Sequence, residues 1–196
     1  RDTDRSRGLG DVYKRQGAIL VGLWYYFDFS GYSDIAIGLG RIFGFHFDEN
    51  FKYPFICKTI SEFWQRWHIS LSSFFRDYVL YLPIFGKRRK YGGLFLVWFC
   101  TGLWHGASWN FVLWGLIFFV LIMLEKNIYG KLLNKTHVLK HVYIIFLIPL
   151  TWMVFAISDM HQLATYFTRL FPFLSSDTVT ANTRDDICLL YTSPSP

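Results

Sequence analysis

The sequence predicts an all-α fold: a polytopic bundle of membrane helices in which at least one helix is broken or re-entrant. Three observations predict it. Of the 196 residues, 53% are hydrophobic and 21% aromatic, above the usual range of soluble domains. The apolar residues fall in long blocks rather than in the short alternating runs of strands. From Gly92 to Leu124 no side chain carries a formal charge unless His105 does. A titratable group placed there is costly, and by default it is functional.

The two ends are set aside before the elements are taken in order. Ser6 to Gln16 (SRGLGDVYKRQ), reverse-translated with suitable codons, gives DNA whose reverse complement, one base out of frame, encodes CLLYTSPSP, the residues Cys188 to Pro196. Two ends of a natural protein have no reason to be antisense copies of each other. Residues 1–16 and 188–196 are therefore expected to be translated adapter, and 17–187 an internal fragment of one membrane domain. Over 17–187 the balance is 15 Lys+Arg against 11 Asp+Glu, a net charge of +4. The basic residues gather at Lys87 to Lys90 and Lys126 to Lys140, which suits loops flanking a bilayer and not a nucleic-acid surface. Cys57 and Cys100 lie in apolar surroundings without CxxC spacing, so neither a disulfide framework nor a metal site is expected.

Gly17 to Phe27 (GAILVGLWYYF) is about half the ~20 residues a spanning helix needs and is expected to be the tail of a span. In the next block, FDFSGYSDIAIGLGRIFGF, Ala36, Gly40 and Gly44 recur at four-residue steps, where small residues let helix backbones approach in lipid. Asp28 and Asp34 are expected at a helix start, with Ser33 or Asp34 as the cap. The alternative makes them a buried polar wall that binds substrate or orients a basic partner. Phe45 to Pro54 (FHFDENFKYP) is a loop, and His46 an exposed loop histidine.

Thr59 to Tyr81 (TISEFWQRWHISLSSFFRDYVLY) predicts one helix opened by a capping box, Thr59 with Glu62. Ile60, Phe63, Trp64, Trp67, Leu71, Phe74 and Tyr78 make its apolar stripe; Arg66, Ser70, Ser73 and Asp77 line another face, with His68 between the two. Pro83 ends it, and Gly86 to Lys90 is a basic turn. The 33 residues of 92–124 would reach about 50 Å as one helix against a hydrocarbon core of about 30 Å, and two full spans would need about 40 residues. Gly102 and Gly106 with Thr101, Ser108 and Asn110 therefore predict a break in the middle. If the basic loops on both sides are cytoplasmic, the segment enters and returns. Irregular backbone at that depth is tolerated only inside protein or along a water-filled cavity, which places His105 in the interior. Lys140 to Ser158 predicts a further span kinked at Pro149, and Asp159 to Phe173 an interfacial helix.

A buried neutral imidazole suits general-base work, taking the proton of a hydroxyl as its oxygen attacks a carbonyl. GxSxG, HExxH, Walker and dinucleotide fingerprints are all absent from the sequence. Two other readings of His105 stand beside this one: a core histidine bonded to a carbonyl, and a polar station in a transporter or flippase-like channel.

Three stretches in order, FDFSGYSDIAIGLG, ENFKYPFICKTISEFWQRWHISLSSFFRDYV and TGLWHGASWNFVLWG, resemble the membrane-bound O-acyltransferase family. They are most similar to its bacterial branch that acetylates exported polysaccharides, typified by the alginate O-acetyltransferase membrane subunit. The resemblance covers about Leu23 to Phe171 and departs at Leu82 to Lys87, where that branch has a glycine-richer proline turn. It implies a many-helix bundle with a tunnel joining the two membrane faces, in a bacterial inner (plasma) membrane. It implies an acyl-CoA (acetyl-CoA) or acyl-carrier thioester as donor and no tightly bound cofactor or metal. It also implies a polysaccharide acceptor and an extracytoplasmic acyltransferase partner. His105 corresponds to the family's active-site histidine and His68 to a second motif histidine. Asp34, Trp67, Arg76, Asp77, Trp104 and Asn110 stand in the same motifs as candidate substrate-binding residues.

Overall fold

The computed structural model of the chain describes residues 2–83, 90–133 and 136–171, and these are helical and irregular, without strands. Most of the basic turn at Gly86 to Lys90, the polar tail beyond Leu174 and the segment Cys188 to Pro196 lie outside the described residues.

Helix α1 runs from Asp2 to Ile42 without interruption. It continues through the stretch set aside at the start of the chain, and Ala18 is the first buried side chain described on it. The expected end at Phe27 and new start at Ser33 or Asp34 are thereby corrected: nothing between them breaks a helix, and the polar residues serve contacts across space instead. Ser33 is buried and accepts a hydrogen bond from Asn50 Nδ2 at 3.3 Å. The expected packing stripe is corrected as well. Gly44 lies beyond the helix at φ +82°, where Phe45 N–H donates to Gly40 C=O at 2.9 Å and Gly44 N–H to Arg41 C=O at 3.1 Å. That is the glycine C-terminal cap, which needs left-handed backbone. Gly40 has no room for a side chain because the Phe47 ring folds back onto it.

The segment after the loop is two short helices and not one. Helix α2 spans Ile60–Arg66 and α3 Ile69–Phe74, with a π-type turn over Phe75–Val79. The capping residues behave as their types predict: Thr59 Oγ1 accepts from Glu62 N–H at 3.0 Å, and Glu62 Oε2 accepts from Lys58 N–H at 2.9 Å. A second carboxylate reaches the same helix start from far along the chain. Glu125, buried at 6% exposure, accepts from Ile60 N–H at 2.7 Å and Ser61 N–H at 3.5 Å. At Trp67 and His68 the helix breaks, His68 standing at φ +46° in the left-handed region. The break divides the expected stripe, so that Ile60, Phe63, Trp64 and Trp67 are buried whereas Phe74 and Tyr78 are exposed.

Helices α4 (Lys90–His105) and α5 (Trp109–Leu124) return on one another as a hairpin, with the break expected from the glycines falling between them at 106–108. A Cβ on Gly102 would lie 2.6 Å from the Phe111 carbonyl oxygen, and one on Gly115 would overlap the Trp98 carbonyl. Backbone meets backbone here, as close crossings in lipid require. Through a π-type turn at Glu125–Tyr129, α5 runs on into α6 (Gly130–Leu133). Lys90 at one end of the hairpin and Lys126 and Lys131 at the other therefore share one side, and His105 lies at the opposite end.

Trp109–Leu133 and Val138–Ala156 are long and apolar enough to cross a bilayer, with mean hydropathies of 2.0 and 1.9. The second is most of α7 (His137–Ala156), which contains Pro149 as expected. Asp159 then accepts from Gln162 N–H at 2.9 Å to open α8 (Met160–Leu170), which buries Leu163 and Leu170. The core these helices share is aromatic: Trp64 meets Phe118 at 4.9 Å and Trp98 at 5.0 Å between centroids, and Trp67 meets Trp152 at 4.9 Å.

Two substitutions test this packing by thermal or denaturant unfolding in detergent. Gly115→Val should destabilise by about 1–3 kcal/mol, since it wedges α4 from α5. Glu125→Ala should remove a similar ~1–3 kcal/mol because it leaves the buried Ile60 amide, and the half-buried Ser61 amide beside it, without this acceptor.

Candidate active site

A cavity of about 410 Å³ opens where the breaks in the two helical segments face each other. Its walls are Tyr25, Asp28, Phe29 and Tyr32 from α1, Trp64, Trp67, His68 and Leu71 from around α2 and α3, Trp104 and His105 from α4, Trp114 from α5, and Trp152 and Phe155 from α7. The two histidines expected to carry the chemistry thus reach one space from segments 37 positions apart in sequence. Trp104 stands between them, its ring 5.9 Å from that of His68 and 4.9 Å from that of His105.

Each imidazole is oriented through Nδ1. His105 Nδ1 lies 2.7 Å from the Thr101 carbonyl oxygen. A carbonyl can only accept, so the proton is on Nδ1 and the Nε2 lone pair is free. Trp114 and Phe155 pack on the His105 ring at 5.2 Å each, which shields it and fixes its plane. His68 Nδ1 lies 3.2 Å from Asn50 Oδ1, its ring is held edge-on by Phe29 at 4.7 Å, and its Nε2 is buried with no partner among the described residues. The indole N–H groups of Trp64, Trp114 and Trp152 likewise find no hydrogen-bond acceptor among the described residues. The arrangement brings two imidazoles to one ring-lined space that is partly open, Tyr32 and Trp104 being 70% and 59% exposed, with Asp28 the one carboxylate among its described lining residues.

The remaining candidates from sequence divide. Trp67, buried at 4% exposure, and Trp104, 59% exposed, line the cavity. Asp34 does not; it is exposed on α1, and it caps nothing. Arg76 and Asp77 also lie outside it, forming an exposed pair at 2.8 Å whose hydrogen bond holds the Asp77 carboxyl below its ordinary range. Asn110 is buried at 1% exposure but spends its Nδ2 on the Phe155 carbonyl at 2.8 Å, fastening α5 to α7 behind the cavity instead of facing into it. Asp28, expected at a helix start or else in a polar wall, is the acidic residue that reaches the cavity wall. Asn50 was not singled out from sequence at all; the only local signal was a polar side chain inside the ENFKYP stretch. Cys57 is fully buried, which pushes its thiol up to about 12, the property of a packing residue. His46 is exposed in its loop, as expected.

Residues 15–158 match the family model for membrane-bound O-acyltransferases. The chain belongs to that family. As an O-acyltransferase family member it is an integral membrane protein, which accounts for the exposed apolar side chains on α1, such as Leu20, Trp24, Phe27 and Ile35. It is 40% identical over 163 residues to a probable alginate O-acetylase of Pseudomonas putida, covering 80% of this chain and 33% of the relative. It is 38% identical over 138 residues to a peptidoglycan O-acetyltransferase of Helicobacter pylori, covering 68% and 26% respectively. To a teichoic acid D-alanyltransferase of Bacillus subtilis it is 39% identical over 110 residues, covering 51% and 28%. The chain thus spans about a quarter to a third of the length of these relatives, and both cavity histidines fall inside the part that matches the family model.

Asn110→Ala should lower stability by about 1–3 kcal/mol, because the Phe155 carbonyl loses its buried donor. Asp34→Ala should leave stability within about 0.5 kcal/mol of the wild type, as expected of an exposed side chain. Unfolding curves of both variants in detergent check the contrast, and equal losses would contradict the assignment.

Proposed function

We propose that this chain carries the active-site segment of a membrane-embedded O-acyltransferase. In this reading the enzyme moves an acyl group, most simply acetyl, from a cytoplasmic thioester such as acetyl-CoA or an acyl carrier. The acceptor is a hydroxyl of an exported polysaccharide or cell-envelope polymer, and the site of action is the bacterial inner membrane. The single observation that carries the proposal is the pair of imidazoles lining one cavity, each with its Nδ1 turned to an oxygen acceptor. Support for the acceptor class comes from the relatives' names, since alginate, peptidoglycan and teichoic acid are all polymers of the cell envelope or exported from it.

His105 Nε2 takes the proton from the acceptor hydroxyl as that oxygen bonds to the thioester carbonyl carbon. The carbon–sulfur bond then breaks, and the departing thiolate receives the proton from the imidazolium, so neither charge nor proton is left over. Thr101 stabilises the imidazolium through its carbonyl, already in place 2.7 Å from Nδ1. His68 supplies a second acceptor nitrogen that holds the acceptor through a neighbouring hydroxyl of the same sugar, since the attacking hydroxyl gives its one proton to His105. The aromatic walls exclude water, which would otherwise compete as the nucleophile and hydrolyse the thioester. Trp104, 59% exposed, gives a flat surface against which a sugar ring or an acyl group can lie, while Trp67, stacked on Phe63, backs the wall. An extracytoplasmic acyltransferase partner that passes the group onward is part of the same reading.

Substitution tests this in membranes containing the full-length protein, supplied with radiolabelled acetyl thioester and scored for label in polymer. His105→Ala should lower transfer by about 10²–10⁴-fold, the usual contribution of a positioned general base, while protein level and polymer export stay normal. Transfer retained in His105→Ala would sink the proposal, and loss of export with intact transfer would favour a channel.

A further inference from the structure

Around His68 the structure holds a network that the acyl-transfer scheme does not yet use, and Asn50 is its centre. Asn50 Oδ1 lies 3.1 Å from Ser70 N, 3.0 Å from Ser70 Oγ and 3.2 Å from His68 Nδ1, while Asn50 Nδ2 lies 3.3 Å from Ser33 Oγ. The Asn50 backbone carbonyl accepts from Ile69 N–H at 3.0 Å. Amide oxygen and nitrogen can exchange places by rotation, but here the backbone decides between them. Ser70 N–H can only donate, so the atom facing it must be the oxygen. With Oδ1 so fixed and the Ser70 hydroxyl donating to it at 3.0 Å, an unprotonated Nδ1 on His68 would face lone pairs of Asn50 Oδ1 at 3.2 Å and of Ser70 Oγ at 3.3 Å. The proton therefore sits on Nδ1, and the unprotonated Nε2 is buried without a partner among the described residues, on a ring that lines the cavity. The same contacts hold His68 in left-handed backbone at φ +46°, a conformation a histidine keeps only when its surroundings impose it.

We propose that Asn50 is a positioning residue of the active site. It fixes the Nδ1–H tautomer and the direction of His68, so that this ring meets the acceptor alcohol as a hydrogen-bond acceptor and never as an acid. One consequence is that His68 and His105 cannot hydrogen bond to each other, because both show acceptor nitrogens; each requires an O–H donor from what enters the cavity. The inference rests on the acyl-transfer reading of that cavity. Asn50 itself is absent from the cavity lining and acts only through His68. The titratable groups that share the cavity with His68 are Tyr25, Asp28 and Tyr32 from α1 and His105 from α4, while α5 and α7 contribute only Trp114, Trp152 and Phe155.

The test uses the full-length protein in membranes, with kcat, KM for the alcohol and the pH profile measured for wild type, Asn50→Leu and Asn50→Asp. Asn50→Leu frees the ring and should lower kcat by about 10²-fold with KM nearly unchanged, as a misplaced group does. Asn50→Asp keeps an oxygen for Ser70 N–H and for His68 Nδ1–H, and Ser33 can donate to its second oxygen. Near-normal kcat should therefore return at high pH. Its new negative charge favours the imidazolium, so the acidic limb of the profile should move to higher pH by about one unit or more. A wild-type kcat in Asn50→Leu, or an unmoved limb in Asn50→Asp, would overturn the proposal. Nitrogen-15 shifts of His68 in the labelled full-length protein report the tautomer without turnover, and an Nε2-protonated ring would overturn it equally. If wild type fails to transfer acyl groups but the ring is Nδ1-protonated, the fault lies with the acyl-transfer reading and not with Asn50.

Discussion

Within a bilayer every backbone N–H and C=O must find a partner inside the protein, and the places where helices break are therefore the places where protein must surround the chain. Both histidines stand at such breaks. His68 forms the junction between α2 and α3, and His105 is the last residue of α4 before the turn into α5. The groups freed at the first break are taken up by one short loop: Asn50 receives Ile69 N–H through its backbone and Ser70 N–H through its side chain, and Lys52 N–H donates to the Arg66 carbonyl at 2.9 Å. At the second, Phe111 N–H returns to the Ser108 carbonyl at 3.2 Å. The need to satisfy the backbone and the need to hold two imidazoles are met by the same residues.

The material around these breaks is chosen by the solvent. Lipid tails are as apolar as leucine, so helices gain nothing from hiding aliphatic surface in one another and must associate through close contact. The chain does this in two ways. Glycines at 102 and 115 bring α4 and α5 backbone to backbone, leaving no space for a methyl group. Large flat rings fill what the helices cannot, with Trp114 meeting Trp64 at 5.6 Å, Trp152 at 5.7 Å and Phe155 at 5.1 Å between centroids. Edge-to-face rings pack rigidly at low entropic cost. The cavity wall is consequently stiff where the buried Trp64, Trp67, Trp114 and Trp152 form it.

Polarity inside this framework is sparse, and two of its members fasten elements together. Glu125 spends its carboxylate on the start of α2, and Asn110 its amide on α7. Both tie the hairpin to the elements that carry the cavity wall. The hairpin also places its basic residues at one end and His105 at the other. Membership in the O-acyltransferase family and the cavity's two lone pairs point the same way, although they rest on different observations, one on sequence motifs and the other on hydrogen-bond geometry.

The sequence by itself determined the all-helical membrane class, the break near Gly106, the cap at Thr59, the span through Pro149, and three motifs, two of which hold His68 and His105. These are local properties: hydrophobic period, block length, charge, and residue types that end or begin a helix. Only the tertiary structure decided that α1 runs unbroken through Asp28 and Asp34, that the helix after Thr59 breaks at His68, and that Asp34, Arg76, Asp77 and Asn110 stand away from the cavity. It alone brought Asn50 to His68, across 18 positions, and Glu125 to Ile60, across 65. A polar side chain carries the same local signal whether it caps its own helix, faces outward or serves a distant ring. Which of these it does depends on what the fold places opposite it, and no stretch of sequence around the residue records that partner.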